Sequence, residues 1–354
     1  MIQFSPDDTF LQSKLYPFAQ VSHSSELRAG ILTIKEKWEL LIAITSGTKA
    51  AEFIKESSLR PIPGNIVPDM QIVQAYLNGV MDSTFIGNWK LKGGKIIERP
   101  WHIFEWNDQL LREDYSLITS TRRTAPSPSS VEVINPDMVF IEEGAKLQHC
   151  LLNASTGPIY IGKNAEVMEG SLIRGPFALC EGAVVKMGSK IYGATTIGPS
   201  CVVGGEIKNV VMMGYSNKAH DGYLGDSVIG EWCNLGAGTS NSNVKNTADT
   251  VSAWSESTHG FEMVGLKCGL LMGDYSRAAI NTSFNTGTVV GICANIFGEG
   301  LTPKLIPNFS WGATGEVRYK WDKVISDISN WKKLKNKALT EQEIQKLKTN
   351  FDRN

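Results

Sequence analysis

The sequence predicts an α/β N-terminal domain, a parallel β-helix and a helical C-terminal tail, on three observations. First, an apolar residue recurs at every sixth position, through Ile161, Val167, Ile173, Leu179, Val185, Ile191, Ile197 and Val203. A second run with the same step passes through Leu266, Met272, Ala278, Phe284, Val290 and Ile296. Neither a helix nor an alternating strand has this period, but a solenoid of hexapeptide repeats does. Second, the positions two before this clock hold Ala165, Ser171, Phe177, Ala183, Ser189, Thr195 and Cys201. All but Phe177 are small, as the narrowing interior of a three-sided coil requires. Third, the flanking segments, before about residue 118 and after about residue 312, lack the period.

The elements follow in order. Residues 1–118 mix short apolar segments, read as strands at Ile31–Leu32 and Leu40–Ile44, with a helical pattern from Asp69 to Leu77. The Ser- and Pro-rich stretch Ser120–Ser130 marks 119–133 as a linker. The β-helix occupies 134–312. Three hexads close one coil of roughly 18 residues, and stacked coils pair at the usual strand spacing of about 4.8 Å. The tail, 313–354, carries Trp321, Val324, Ile328 and Trp331 at helical spacing. Thr340 and Glu343 then form a capping-box pattern before Ile344 and Leu347. An amphipathic helix here packs on the solenoid or on a neighbouring subunit. The open ends of a solenoid also lead us to expect the N-terminal domain at one end and these helices at the other.

Composition narrows the function. Net charge is −1, with 35 basic and 36 acidic residues mixed throughout, which leaves no footprint for nucleic acid. No apolar run reaches membrane-spanning length, and MIQFSPDDTF lacks the pattern of a signal peptide. The cysteines, Cys150, Cys180, Cys201, Cys233, Cys268 and Cys293, all lie in the repeat half, and none forms a CxxC pair. They read as buried free thiols in a reducing cytoplasm.

Between the two periodic runs stands a polar cluster. His220 and Tyr223 are three apart, Lys208 precedes the histidine and Asn234 follows it, and Ala237–Asn243 is a Gly-rich loop with Ser, Thr and Asn side chains. On coils of this size such residues come from adjacent faces and converge. A histidine takes a proton from an attacking amine near neutral pH. A lysine supplies charge for a phosphate, and asparagines orient sugar hydroxyls.

The run His220-x-x-Tyr223-Leu-Gly-Asp226, followed by Asn234-Leu-Gly-Ala-Gly-Thr239, resembles the acetyltransferase domain of the bifunctional UDP-N-acetylglucosamine pyrophosphorylase/glucosamine-1-phosphate N-acetyltransferase family. The match covers roughly Lys208 to Ala294. The resemblance implies a left-handed β-helix, a homotrimer and transfer from acetyl-CoA to an amino sugar 1-phosphate. It implies His220 as catalytic base and Lys208, Tyr223, Asn234 and Asn243 as sugar-phosphate ligands. It also implies Ala237 and the Gly273–Asp274 turn beside acetyl-CoA. No arginine aligns with the family's phosphate-binding arginine, and Lys190 is the candidate substitute. The segment after Asn243 also departs from the family, which bears on sugar specificity.

The N-terminal domain is the weaker half of the match. The segment Leu27–Trp38 resembles the start of an alternate, Bacteroidetes-type version of the family. The Gly-rich phosphate loop of the pyrophosphorylase is missing, and Gly47-x-Lys49 does not replace it. A nucleotidyltransferase-like domain using UTP or dTTP with Mg²⁺ is therefore the alternative function, the β-helix then serving oligomerisation; no nucleotide-binding residue is assigned. A third reading, a metal site like that of γ-carbonic anhydrases, needs His149, His220 and His259 to converge.

Overall fold

A computed structural model describes residues 4–5, 8–47 and 61–353. From Glu132 to Ile306 the chain is a β-solenoid of short strands and tight corners, with neighbouring coils paired in parallel. Ile159, Phe177 and Thr195 are direct partners, so each coil here takes 18 residues. The eight residues of the first clock are all buried in one continuous apolar bore. Phe177 fits in the bore as well, fully enclosed, so the narrow position tolerates one large ring.

The second run holds from Met272 onward, but Leu266 does not belong to it. Leu266 is 65% exposed. The chain leaves the solenoid after Ser240–Asn241, forms an antiparallel hairpin of Val251–Ser255 with Gly260–Gly265, and re-enters at Leu270–Met272. Leu266 sits on the return arm, where six-residue spacing carries no geometric meaning.

Each corner between the second and third faces needs a residue in the left-handed region. Asn164, Ser200, Tyr215, Trp232, Tyr275, Cys293 and Phe309 hold φ between 55° and 63° there. Such φ values are uncommon for bulky side chains. Stacking and burial offset the strain: Tyr215 and Trp232 lie parallel with centroids 4.4 Å apart. Trp232, Tyr275, Cys293 and Phe309 are buried against the C-terminal helices. These are α7 (Trp321–Lys333) and α8 (Glu341–Arg353), joined to the solenoid through Val324, Ile328 and Leu347. Thr340 and Glu343 form the expected reciprocal cap.

The N-terminal half is helical: α1 (Thr9–Lys14), α2 (Ile34–Ser46), α3 (Met70–Leu77), α4 (Ser83–Leu91), α5 (His102–Glu105) and α6 (Asn107–Thr119). Among the described residues its β-structure is one short antiparallel ribbon, Ile66–Val67 with Lys95–Ile96, and isolated bridges. Leu40–Ile44, read above as a strand, is the second half of α2. The capping box of Thr33 and Glu36 starts that helix, and Ile34, Trp38, Leu41 and Ile42 form one buried stripe. Ile31 and Leu32 are not a strand either, because their N–H groups donate to the Asp114 carboxylate at 2.7 and 3.0 Å. The Leu27–Trp38 motif is a packing hub. Lys37 pairs with Asp114, and the Arg28 guanidinium reaches the carbonyl of Met213 on the solenoid.

Among the described residues neither flanking unit caps an end. The second face turns Val211, Val228, Leu271 and Val289 outward, and all four are fully buried against Leu15, Trp38, Ile103 and Phe104. Both units lie along the sides of the solenoid because its apolar strips are there. All six cysteines are buried and free.

Candidate functional site

The first face carries the basic cluster. Strands Leu172–Arg174, Lys190–Tyr192, Glu206–Met212 and Tyr223–Ile229 stack in parallel. Their register aligns Lys190 with Glu206 and then Tyr223, and Tyr192 with Lys208 and then Gly225. Ile173, Ile191, Ile207 and Leu224 alternate inward and are buried, so the residues between them face out. The Lys208 ammonium lies 5.9 Å from the centre of the Tyr192 ring. Tyr192 donates its hydroxyl to Glu206 at 2.6 Å, and that bond pushes the phenol up to about 12.

The Tyr-Leu-Gly-Asp motif has a steric logic. Any side chain on Gly225 would collide with the Tyr223 ring, a Cβ falling 2.2 Å from its hydroxyl oxygen. Glycine therefore lets the phenol lie across the face and accept a hydrogen bond from Asn243 at 3.1 Å. Burial, and then the nearby Asp226 carboxylate, raise the Tyr223 phenol above its ordinary range. Asp226 turns the corner at φ 47° and accepts hydrogen bonds from Asn209, at 2.8 Å, and from Asn243.

His220 stands at the corner between the third and first faces, exposed to solvent. Its backbone is fixed from inside. Lys218 occupies an inward position paired with Val203 and has 0% exposure. Its ammonium donates to the carbonyls of His220 and, at 3.1 Å, Asp221. Burial pulls this lysine down to about 8. Asn241, also inward, accepts from the Gly225 N–H at 2.8 Å and donates to its carbonyl at 3.0 Å. Two polar side chains thus replace apolar ones inside the bore, and each ties down a stretch of backbone that carries a site residue.

The third face holds Asn217, Asn234, Arg277 and Asn295 in one registered row. Gly236 and Ala279 leave a side-chain-poor shelf beside it, and Gly236 closes on the Ala279 backbone with no space for a Cβ. Ala237 follows at the His220 corner, partly exposed. Gly273 and Asp274 do not join this group. They lie at the opposite edge of the third face, where a Cβ on Gly273 would come within 3.0 Å of Pro17. Asp274 accepts from the Glu231 N–H at 2.8 Å, and burial pushes its carboxyl up to about 6.

Sequence reasoning missed several groups. Arg174 is exposed on the first face, one coil from Tyr192, and with Leu172, Lys190 and Tyr192 it lines a groove of about 480 Å³. Its 18-residue offset from Tyr192 was the available signal. Lys218 and Asn241 were hidden because the coil step shortens before them.

The other readings find little support. His149 lies near the first coil and His259 at the hairpin turn, and no group of three metal-ligating side chains occurs among the described residues. In the N-terminal half Asp69 and Asp82 cap helices, Asp8 binds Ser24 and Asp114 pairs with Lys37. Among the described residues no acidic cluster there fits Mg²⁺. Lys49 of Gly47-x-Lys49 lies outside the described residues. No helix of the described residues is long and apolar enough to cross a membrane.

No protein-family model matches the chain. Among curated proteins it is similar to the bifunctional protein GlmU of Rippkaea orientalis, 34% identical over 134 residues, covering 32% of this chain and 30% of the relative. It is also similar to the bifunctional protein GlmU of Methanocaldococcus jannaschii, 31% identical over 208 residues, covering 57% and 44%. The chain thus spans less than half the length of these relatives. Among solved structures, a hexapeptide transferase family protein from Anaplasma phagocytophilum matches 63% of this chain and 87% of its own at 13% identity, with a TM-score of 0.19. The parallel register of the coils, not that likeness, establishes the fold. The resemblance to the bifunctional family is borne out over part of the chain, where the curated relatives it matches are GlmU proteins.

Proposed function

We propose that the protein is a transferase that N-acetylates an amino sugar 1-phosphate with acetyl-CoA, in sugar-nucleotide synthesis for the cell envelope. The observation that carries this reading is the presentation of His220. An exposed imidazole stands on a corner pinned from within, between a basic, tyrosine-bearing face and an asparagine-bearing one. His220 accepts the proton of the substrate amine as its nitrogen attacks the thioester carbonyl. Lys208 and Lys190, with Arg174 beside them, hold the phosphate. Tyr223, Asn243 and Asn234 orient the sugar, and the shelf ending at Ala237 takes the pantetheine arm of acetyl-CoA. The turn at Gly273–Asp274 would reach the coenzyme only from the far edge of the same face.

General-base catalysis contributes about 10²–10⁴-fold. His220→Ala should lower kcat by that factor in a thiol-release assay with acetyl-CoA and a panel of amino sugar phosphates, with the melting temperature unchanged. A fully active His220→Ala protein sinks the mechanism. We further propose a cytoplasmic homotrimer. Leu172, 53% exposed in the first-face groove beside Ile134, gives a second copy an apolar surface to cover. Light scattering that shows a monomer at micromolar concentration overturns the assembly.

A further inference from the structure

Among the described residues, the buried side-chain nitrogens and oxygens all find partners except two, Nε and Nη2 of Arg277. Arg277 is 8% exposed on the third face, between Asn234 and Asn295. Trp331 of α7 roofs it, with the guanidinium carbon 5.4 Å from the ring centre. The Asp327 carboxylate exerts a field on it, but Asp327 accepts the Tyr319 hydroxyl, and among the described residues it forms no ion pair with the arginine. The Asn295 amide is also engaged with Tyr319.

The two orphaned donors are informative as a pair. Nε–H and the adjacent Nη2–H lie parallel along one edge of the guanidinium, the edge that grips two oxygens of a single oxyanion. Elsewhere in this chain Arg112 uses the same edge on both oxygens of Asp108. A guanidinium buried with that edge unmet is strongly unfavourable. The neighbouring Asn234 amide has no protein partner among the described residues and supplies a donor for a further oxygen. Three donors suit a tetrahedral phosphate better than a planar carboxylate.

We propose that Arg277 and Asn234 form a phosphate-binding site beneath α7, respectively two coils and one coil beyond the His220 corner, with Trp331 displaced when it fills. The identity of the phosphate, on the sugar or on the coenzyme, rests on the acetyl-transfer reading; the existence of the site does not.

The test titrates the full-length protein with inorganic phosphate at constant ionic strength, following tryptophan fluorescence and melting temperature, with acetate in a parallel arm. Expected is a saturable response to phosphate, weaker for acetate. It should weaken by about tenfold or more in both Arg277→Met and Arg277→Lys, and the fluorescence change should vanish in Trp331→Phe. Arg277→Lys keeps the charge and loses the fork, so it guards against misfolding of the Met variant. Competition by an amino sugar 1-phosphate or by coenzyme A then identifies the source. A wild-type protein that does not respond to phosphate, or arginine variants that respond as the wild type does, overturn the site. Loss of phosphate binding in the variants of a protein with no acetyl transfer would leave the site standing and remove the functional reading.

Discussion

Between Ile159 and Ile197 the coils of the second face advance by one step of 18 residues, and their bore is lined by apolar side chains apart from small polar ones. Beyond it the step shortens, to the pairing of Thr196 with Val211, then of Val211 with Val228, and lengthens to that of Val228 with Leu271. In this second region the bore admits Lys218 and Asn241, both buried. The regular coils form a scaffold whose interior residues serve packing alone. In the irregular coils the interior is used to hold His220 and the Tyr223–Asp226 segment in place, at a cost in burial energy. Departures from the repeat thus mark the candidate site more sharply than any one side chain does.

The contrast breaks if apolar burial matters equally wherever the six-residue clock points. Phe177→Ala, in the regular bore, should cost about 3–5 kcal/mol in denaturant unfolding. Leu266→Ala, at a clock position outside the bore, should change stability by no more than about 0.5 kcal/mol. Equal losses would mean that the hairpin return arm is packed like a coil.

A smaller effect sharpens the contrast from the other side. Burial lowers the Lys218 ammonium to about 8 in the folded protein, against 10.5 unfolded. The unfolded chain therefore binds more protons between these values. The stability tied to this group is complete above about pH 10.5 and is lost as pH falls through about 8. Melting temperature should carry a rising component across that window in the wild type, and Lys218→Met should remove it. The same variant frees the His220 and Asp221 carbonyls, so amide exchange at 219–222 should quicken. An unchanged pH slope and unchanged exchange would reduce Lys218 to filler.

The solenoid was legible because one residue in six faces a narrow bore, and that constraint repeats until the signal is unmistakable. The motif also singled out Tyr223 and Asn243, which the fold brings into contact, and Asn234, which it sets on the third face. What the sequence hid depends on contacts outside the repeat. Leu40–Ile44 reads as a strand until the Thr33–Glu36 cap and the buried stripe of α2 are known. Val211, Val228, Leu271 and Val289 sit one position off the clock and point out of the solenoid, so the bore pattern says nothing about what covers them. Arg277 carries no signal at all in the sequence, because its peculiarity is a missing partner.

The shared core on the second face also governs how this chain is made. Leu15, Trp38 and Phe104 are buried with Val211, Val228, Leu271 and Val289, on the far side of the Ser120–Ser130 stretch. A ribosome releases the first group well before the second, so the helical segment emerges without the wall it packs against. It must wait, loosely formed, for the coils to stack. The same dependence means that cutting the chain at the serine- and proline-rich stretch would split one cooperative unit, leaving two exposed apolar surfaces instead of two free-standing modules.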